Sequence, residues 1–239
     1  TWGCNMKIHP LTFLYLLAAV IVHSSDYIAF LIFSILHEIG HYIIALYFSF
    51  DIEKIEILPF GAFLLLKDLG KHYVHEEMLM LICGPLVNAF CLILCIFFKQ
   101  NILYKINLYI LVFNLLPIYP LDGSKMILLF LSYFFDYQKC IKIQIKLSLF
   151  FICILWVLTK QIGRKIVLIY LLYQTILYFK NMQFIYIETL MSDHLDKKRI
   201  KINEQLSYYR PYQNIYYFQQ HFYDFETTKI YLIKSNKSH

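Results

Sequence analysis

His37, Glu38 and His41 fall within the pentapeptide His37-Glu38-Ile39-Gly40-His41. On a helix, residues four apart share one face a turn apart, so both imidazoles of such a segment can hold one zinc ion. The glutamate beside them can then act as general base toward the water that zinc activates. Phe30, Leu31, Ile32, Phe33, Ile35 and Leu36 precede the motif, and Tyr42, Ile43, Ile44, Ala45 and Leu46 follow it. Ionisable groups are costly to keep in hydrocarbon and usually serve a function there. A catalytic zinc takes three protein ligands and keeps one position for water, so a third ligand must come from elsewhere. The remaining histidines lie in loops, termini or segment edges. The better candidate is Asp122, in the stretch Asn114-Leu115-Leu116-Pro117-Ile118-Tyr119-Pro120-Leu121-Asp122-Gly123, where two prolines and a glycine must break the helix. Irregular backbone at membrane depth survives only when buried in protein or lining a water-filled cavity. A carboxylate at such a break needs a partner, and zinc is an obvious one; a loop aspartate at the membrane surface is the alternative.

The elements that position these residues follow from composition. Of 239 residues, 59% are hydrophobic and 16% charged, where soluble domains average about half and about a quarter. The chain therefore reads as an all-α, multi-pass membrane protein. Apolar segments at 8–22, 27–50, 77–98, 102–116, 147–158 and 166–179 predict about six transmembrane helices, several short or tilted. Residues 126–135 are apolar but too few to span alone. The first segment lacks a small-residue cleavage pattern and reads as an anchor. The Lys and Arg distribution, with its strongly basic tail, puts both termini in the cytoplasm. The net charge of +6 resides between apolar segments and in the tail. That pattern signals topology and contact with the lipid bilayer rather than direct nucleic-acid binding. Six cysteines without a C-x-x-C pair read as small buried hydrophobes.

Between the second and third segments, Ile52-Glu53-Lys54-Ile55-Glu56-Ile57 alternates with the period of a strand, Pro59-Phe60-Gly61 makes a turn, and residues 62–66 form a short apolar run. A short membrane-associated β-hairpin near the metal helix fits this stretch. Its open edge could pair with an extended peptide; a purely structural loop reads equally well. After Lys180 the chain turns polar and basic, with Lys197-Lys198-Arg199 and repeated Tyr pairs.

Taken together, the His37–His41 pentapeptide, Gly84-Pro85-Leu86-Val87-Asn88 and the 114–123 stretch resemble the site-2 protease family of intramembrane zinc metalloproteases. Within it, the chain is most similar to the sporulation branch, which releases a late sigma factor, sigma-K, from a membrane-tethered precursor. Ile8-His9-Pro10, Leu58-Pro59-Phe60-Gly61 and Glu76-Glu77 fit that branch, and the likeness covers roughly residues 7–180. It implies one Zn2+ per chain, held by His37, His41 and Asp122, with Glu38 as the base. It also implies that Asn114 and Pro120 shape the substrate groove; the hairpin's place near the metal helix leads to the expectation that Phe60 and Gly61 help present an unwound substrate segment. The implied partner is a membrane-tethered pro-sigma factor, with room for membrane inhibitor proteins, in the mother-cell membrane around the forespore. Residues 1–180 would form the protease domain, and 181–239 a cytosolic segment resembling only the beginning of a CBS domain. Two positions depart from the family: Ala62 and Ser124 stand where glycine is common. Two rivals remain open: a site-2-type protease acting on an anti-sigma factor or signal-peptide remnant, and a non-proteolytic metal-binding transporter or scaffold.

Overall fold

A computed structural model describes residues 6–8, 25–58, 61–67, 70–192, 199–218 and 221–237. It separates into two compact units, residues 1–115 and 116–239.

In the first unit, strand β1 (Met6–Ile8) precedes helix α1 (Ser25–Tyr47), which carries the histidine pair. The expected anchor at 8–22 lies outside the described residues except for Ile8, which ends β1. Strands β2 (Ile52–Leu58) and β3 (Gly61–Leu66) follow, then helices α2 (Val74–Phe97) and α3 (Asn101–Asn114). The sheet order is β1-β2-β3, with β1 parallel and β3 antiparallel to the central β2. The expected hairpin is present, closed by the pair Leu58↔Gly61.

The helices approach closely where side chains are small. A Cβ at Gly40 would sit 2.8 Å from the Cys83 carbonyl oxygen and 2.9 Å from Val87 Cγ2, so only glycine lets α1 lie this near α2. Ala29, Phe33, Cys95 and Ile110 fill the core among these helices. The start of α2 is held by its own acids: buried Glu77 accepts from the Gly70 N–H (2.7 Å), and Glu76 accepts from the Tyr73 N–H (3.2 Å).

The second unit runs from the Pro117 turn through α4 (Asp122–Leu131), α5 (Tyr137–Leu158), α6 (Ile162–Lys180) and α7 (Met182–Ser192). Strands β4 (Ile200–Asn203), β5 (Gln213–Phe218) and β6 (His221–Tyr223) and helix α8 (Phe225–Lys237) complete it. One core runs from the spans into the tail through Ile141, Tyr137, Tyr186, Tyr208, Tyr216 and Leu232. The Asp136 carboxylate caps α5 and also accepts from the Tyr208 N–H at 2.7 Å, while Tyr137 N–H donates to the Tyr208 carbonyl at 2.8 Å. A segment 72 residues downstream is thereby stitched to the start of a span.

Among the described residues, α1, α2, α5 and α6 are long and apolar enough to cross a membrane. They expose Ile32, Ile43, Phe90, Ile93, Phe150 and Ile169, a surface suited to lipid. The segment expected at 102–116 is α3, whose 14 residues extend only about 21 Å at about 1.5 Å each, short of a typical hydrocarbon core.

Candidate active site

Helix α1 sets His37 and His41 one turn apart, both buried, with Nε2 atoms 3.0 Å apart. The Nδ1 of His41 lies 2.7 Å from the Met80 carbonyl oxygen on α2. A carbonyl can only accept, so Nδ1 carries the proton and Nε2 keeps its lone pair, the tautomer a metal requires. Gly84 explains how α2 fits against this pair. A Cβ there would overlap His41 Nε2 and stand 2.8 Å from His37 Nε2, so the bare backbone leaves the ligand atoms their room. Glu38, half-buried on the same helix, accepts from the Leu64 N–H of β3 at 2.9 Å.

Asp122 opens α4 directly after the turn that the two prolines impose. This irregular backbone is sustained from α5 and α6. Tyr119 N–H donates to Ser148 Oγ (3.0 Å), Thr175 Oγ1 donates to the Tyr119 carbonyl (3.3 Å), and Gln144 Nε2 donates to Ser124 Oγ (2.9 Å) and its carbonyl (3.2 Å). Ser124 is thus buried and hydrogen-bonded. Ser148, Thr175 and Gln144 were missed from sequence. The available signal was Gln144 and Ser148, two polar residues one turn apart in an apolar span.

His37 and His41 of the first unit each offer an imidazole nitrogen, and Asp122 of the second offers a carboxylate oxygen. Two imidazole nitrogens and a carboxylate oxygen form a donor set that suits catalytic zinc. No family model matches the chain. It is 29% identical over 211 residues to stage IV sporulation protein FB of Bacillus subtilis, covering 81% of this chain and 73% of that protein. It is 36% identical over 121 residues to a zinc metalloprotease of Methanocaldococcus jannaschii, covering 46% and 35% respectively. The fold is similar to a solved site-2 protease from M. jannaschii at a TM-score of 0.51 and 25% identity, over 85% of this chain and 97% of that one. The chain is thus similar in sequence and in fold to a site-2 protease.

Asn114 ends α3, and Pro120 follows Tyr119 through a cis peptide bond, both half-buried. Gly61 begins β3, and Phe60 lies outside the described residues. The motif Gly84-Pro85-Leu86-Val87-Asn88 brings one further polar feature. Asn88 is fully buried one turn beyond Gly84, and neither atom of its carboxamide has a hydrogen-bond partner among the described residues. Asn107 Nδ2 donates to the Asn88 carbonyl at 2.8 Å.

Proposed function

We propose that this chain is a site-2 protease that hydrolyses a peptide bond in a membrane-tethered sigma-factor precursor, with one zinc per chain on His37, His41 and Asp122. The buried pair of imidazoles, with Nε2 atoms 3.0 Å apart on the helix that also carries the Glu38 carboxylate, carries the reading. Bound there, zinc supplies Lewis acidity to the scissile carbonyl and to water. Glu38 takes a proton from the water whose oxygen forms the new C–O bond; as the C–N bond breaks, it passes that proton to the leaving nitrogen. Met80 holds the His41 tautomer through its carbonyl, and the Ser148 and Thr175 hydroxyls hold the turn that carries Asp122.

A helical peptide bond has its carbonyl engaged, so the substrate must be extended where it is cut. The open edge of β3 offers backbone partners for such a segment, with Phe60, Gly61, Asn114 and Pro120 as further substrate contacts. Six spans, cytoplasmic termini, a mother-cell membrane location and a cytosolic segment at 181–239 complete the reading. The relative that bears a sporulation name supports the precursor as substrate. Co-expression of this chain with a tethered pro-sigma-K precursor tests it. A shortened, released product is expected, with none from the same precursor lacking its tether. Equal cleavage of both forms, or of neither, would overturn it.

A further inference from the structure

The register of the hairpin fixes which way the backbone of β3 points. The Leu64 N–H donates to Glu38 Oε2 and so points away from β2, which makes Ile55↔Leu64 a non-bonded pair, and bonded and non-bonded pairs alternate along the ladder. Glu56↔Phe63 and Lys54↔Leu65 are therefore bonded, whereas Ile57↔Ala62 and Ile55↔Leu64 are not. Pairing of β1 with β2 along residues 55–57 agrees, since the groups of Ile55 and Ile57 must face away from β3. It follows that the N–H and C=O of Ala62 and Leu64 point outward along the far edge of β3. Among the described residues no strand pairs with that edge. It faces α1, and the Leu64 N–H is held by Glu38 Oε2 at 2.9 Å.

One amide thus belongs to two structures at once. It is part of the edge on which an extended peptide would pair, and it binds the carboxylate assigned as base. A peptide carbonyl aligned with that edge needs the same N–H. We propose that Glu38 and substrate take the Leu64 amide in turn: it tethers the base in the free enzyme, and a peptide that pairs with β3 takes it over and releases Glu38 toward the site. Leu64 is then a positioning residue that acts through its backbone, coupling the base to the presence of an extended substrate. This rests on the edge-pairing part of the proposed function.

The test compares two cleavage-dead variants, both zinc-loaded, full-length and in lipid nanodiscs, with a tethered pro-sigma-K precursor as probe. The new carboxamide in Glu38→Gln can still accept from the Leu64 N–H, whereas the methyl group in Glu38→Ala cannot. A neutral hydrogen bond to be displaced corresponds to about fivefold in affinity, so Glu38→Ala should bind the precursor about fivefold more tightly than Glu38→Gln. Leu64→Pro removes only this outward N–H, a change that an edge strand tolerates, and in that background the difference should vanish. Hydrogen exchange at the Leu64 amide gives a second readout that needs no proline. It should be faster in Glu38→Ala than in Glu38→Gln without precursor, and equally slow in both with it. Equal affinities and equal exchange in the two variants would overturn the tether, while weaker binding by Leu64→Pro would leave edge pairing intact. Unchanged binding by Leu64→Pro, with the Leu64 amide unprotected by precursor, would remove edge pairing and the proposal with it.

Discussion

Adding one methyl group at Gly84 should damage the metal site more than it damages the helix. Alanine is the better helix former by about 1 kcal/mol, so helix propensity alone predicts a gain from Gly84→Ala. The surroundings reverse that sign. The new Cβ would overlap His41 Nε2 and lie 2.8 Å from His37 Nε2. The His41 ring cannot turn away freely, because the Met80 carbonyl holds it at 2.7 Å. Relief comes from moving a ligand ring or from moving α2, and both displace donor atoms. Overpacking of this kind costs about 1–3 kcal/mol, equivalent to roughly 5- to 150-fold in zinc affinity. Gly163 is the control, because a Cβ there would meet nothing within 4 Å: Gly163→Ala should leave zinc and cleavage unchanged. Zinc content by elemental analysis, competition with a graded chelator, and precursor cleavage read out the pair. Full zinc affinity with wild-type cleavage in Gly84→Ala would refute the close packing of α2 on the ligands.

Asp122→Ala should lose both zinc and activity, whereas Asp136→Ala should retain zinc but lose about 1–3 kcal/mol of stability, because it leaves the Tyr208 N–H and the α5 terminus without their acceptor. Burial pushes the Asp136 carboxyl above the usual carboxylate range despite the N–H donors of Tyr208 and Lys139. Its folded value therefore exceeds its unfolded one. The stability it contributes is full below the ordinary carboxylate range and is lost as pH rises through the raised value. Thermal unfolding of wild type should accordingly fall relative to Asp136→Asn between acid and neutral pH; parallel curves would contradict this. Ser148→Ala strands the Tyr119 N–H and should weaken zinc retention through the Asp122 turn, measured by the same chelator competition.

The histidine pair could be read from sequence because four-residue spacing on an apolar segment specifies both a helix and a shared face. The break before Asp122 was equally readable, since proline removes donors that a continuing helix needs. Strand alternation at 52–57 gave the hairpin. What spacing could not give were partners set by tertiary register. The Leu64 amide reaches Glu38 across 26 residues, and Thr175 supports Tyr119 across 56. The apolar run at 147–158 places the beginning of α5 too late, because Lys139, Lys142 and Lys146 interrupt it, although Asp136 caps the helix well before them. The tail reads as a separate polar segment because its buried tyrosines carry hydroxyls; in the fold Tyr186, Tyr208 and Tyr216 are core residues.

Whether His37, His41 and Asp122 hold zinc while Glu38 moves the proton is tested most directly on Glu38→Gln, with zinc content and precursor cleavage measured on the same preparation. About one zinc per chain, as in wild type, and no cleavage are expected. Cleavage at the wild-type rate would contradict Glu38 as the base, and loss of zinc would make it a ligand instead.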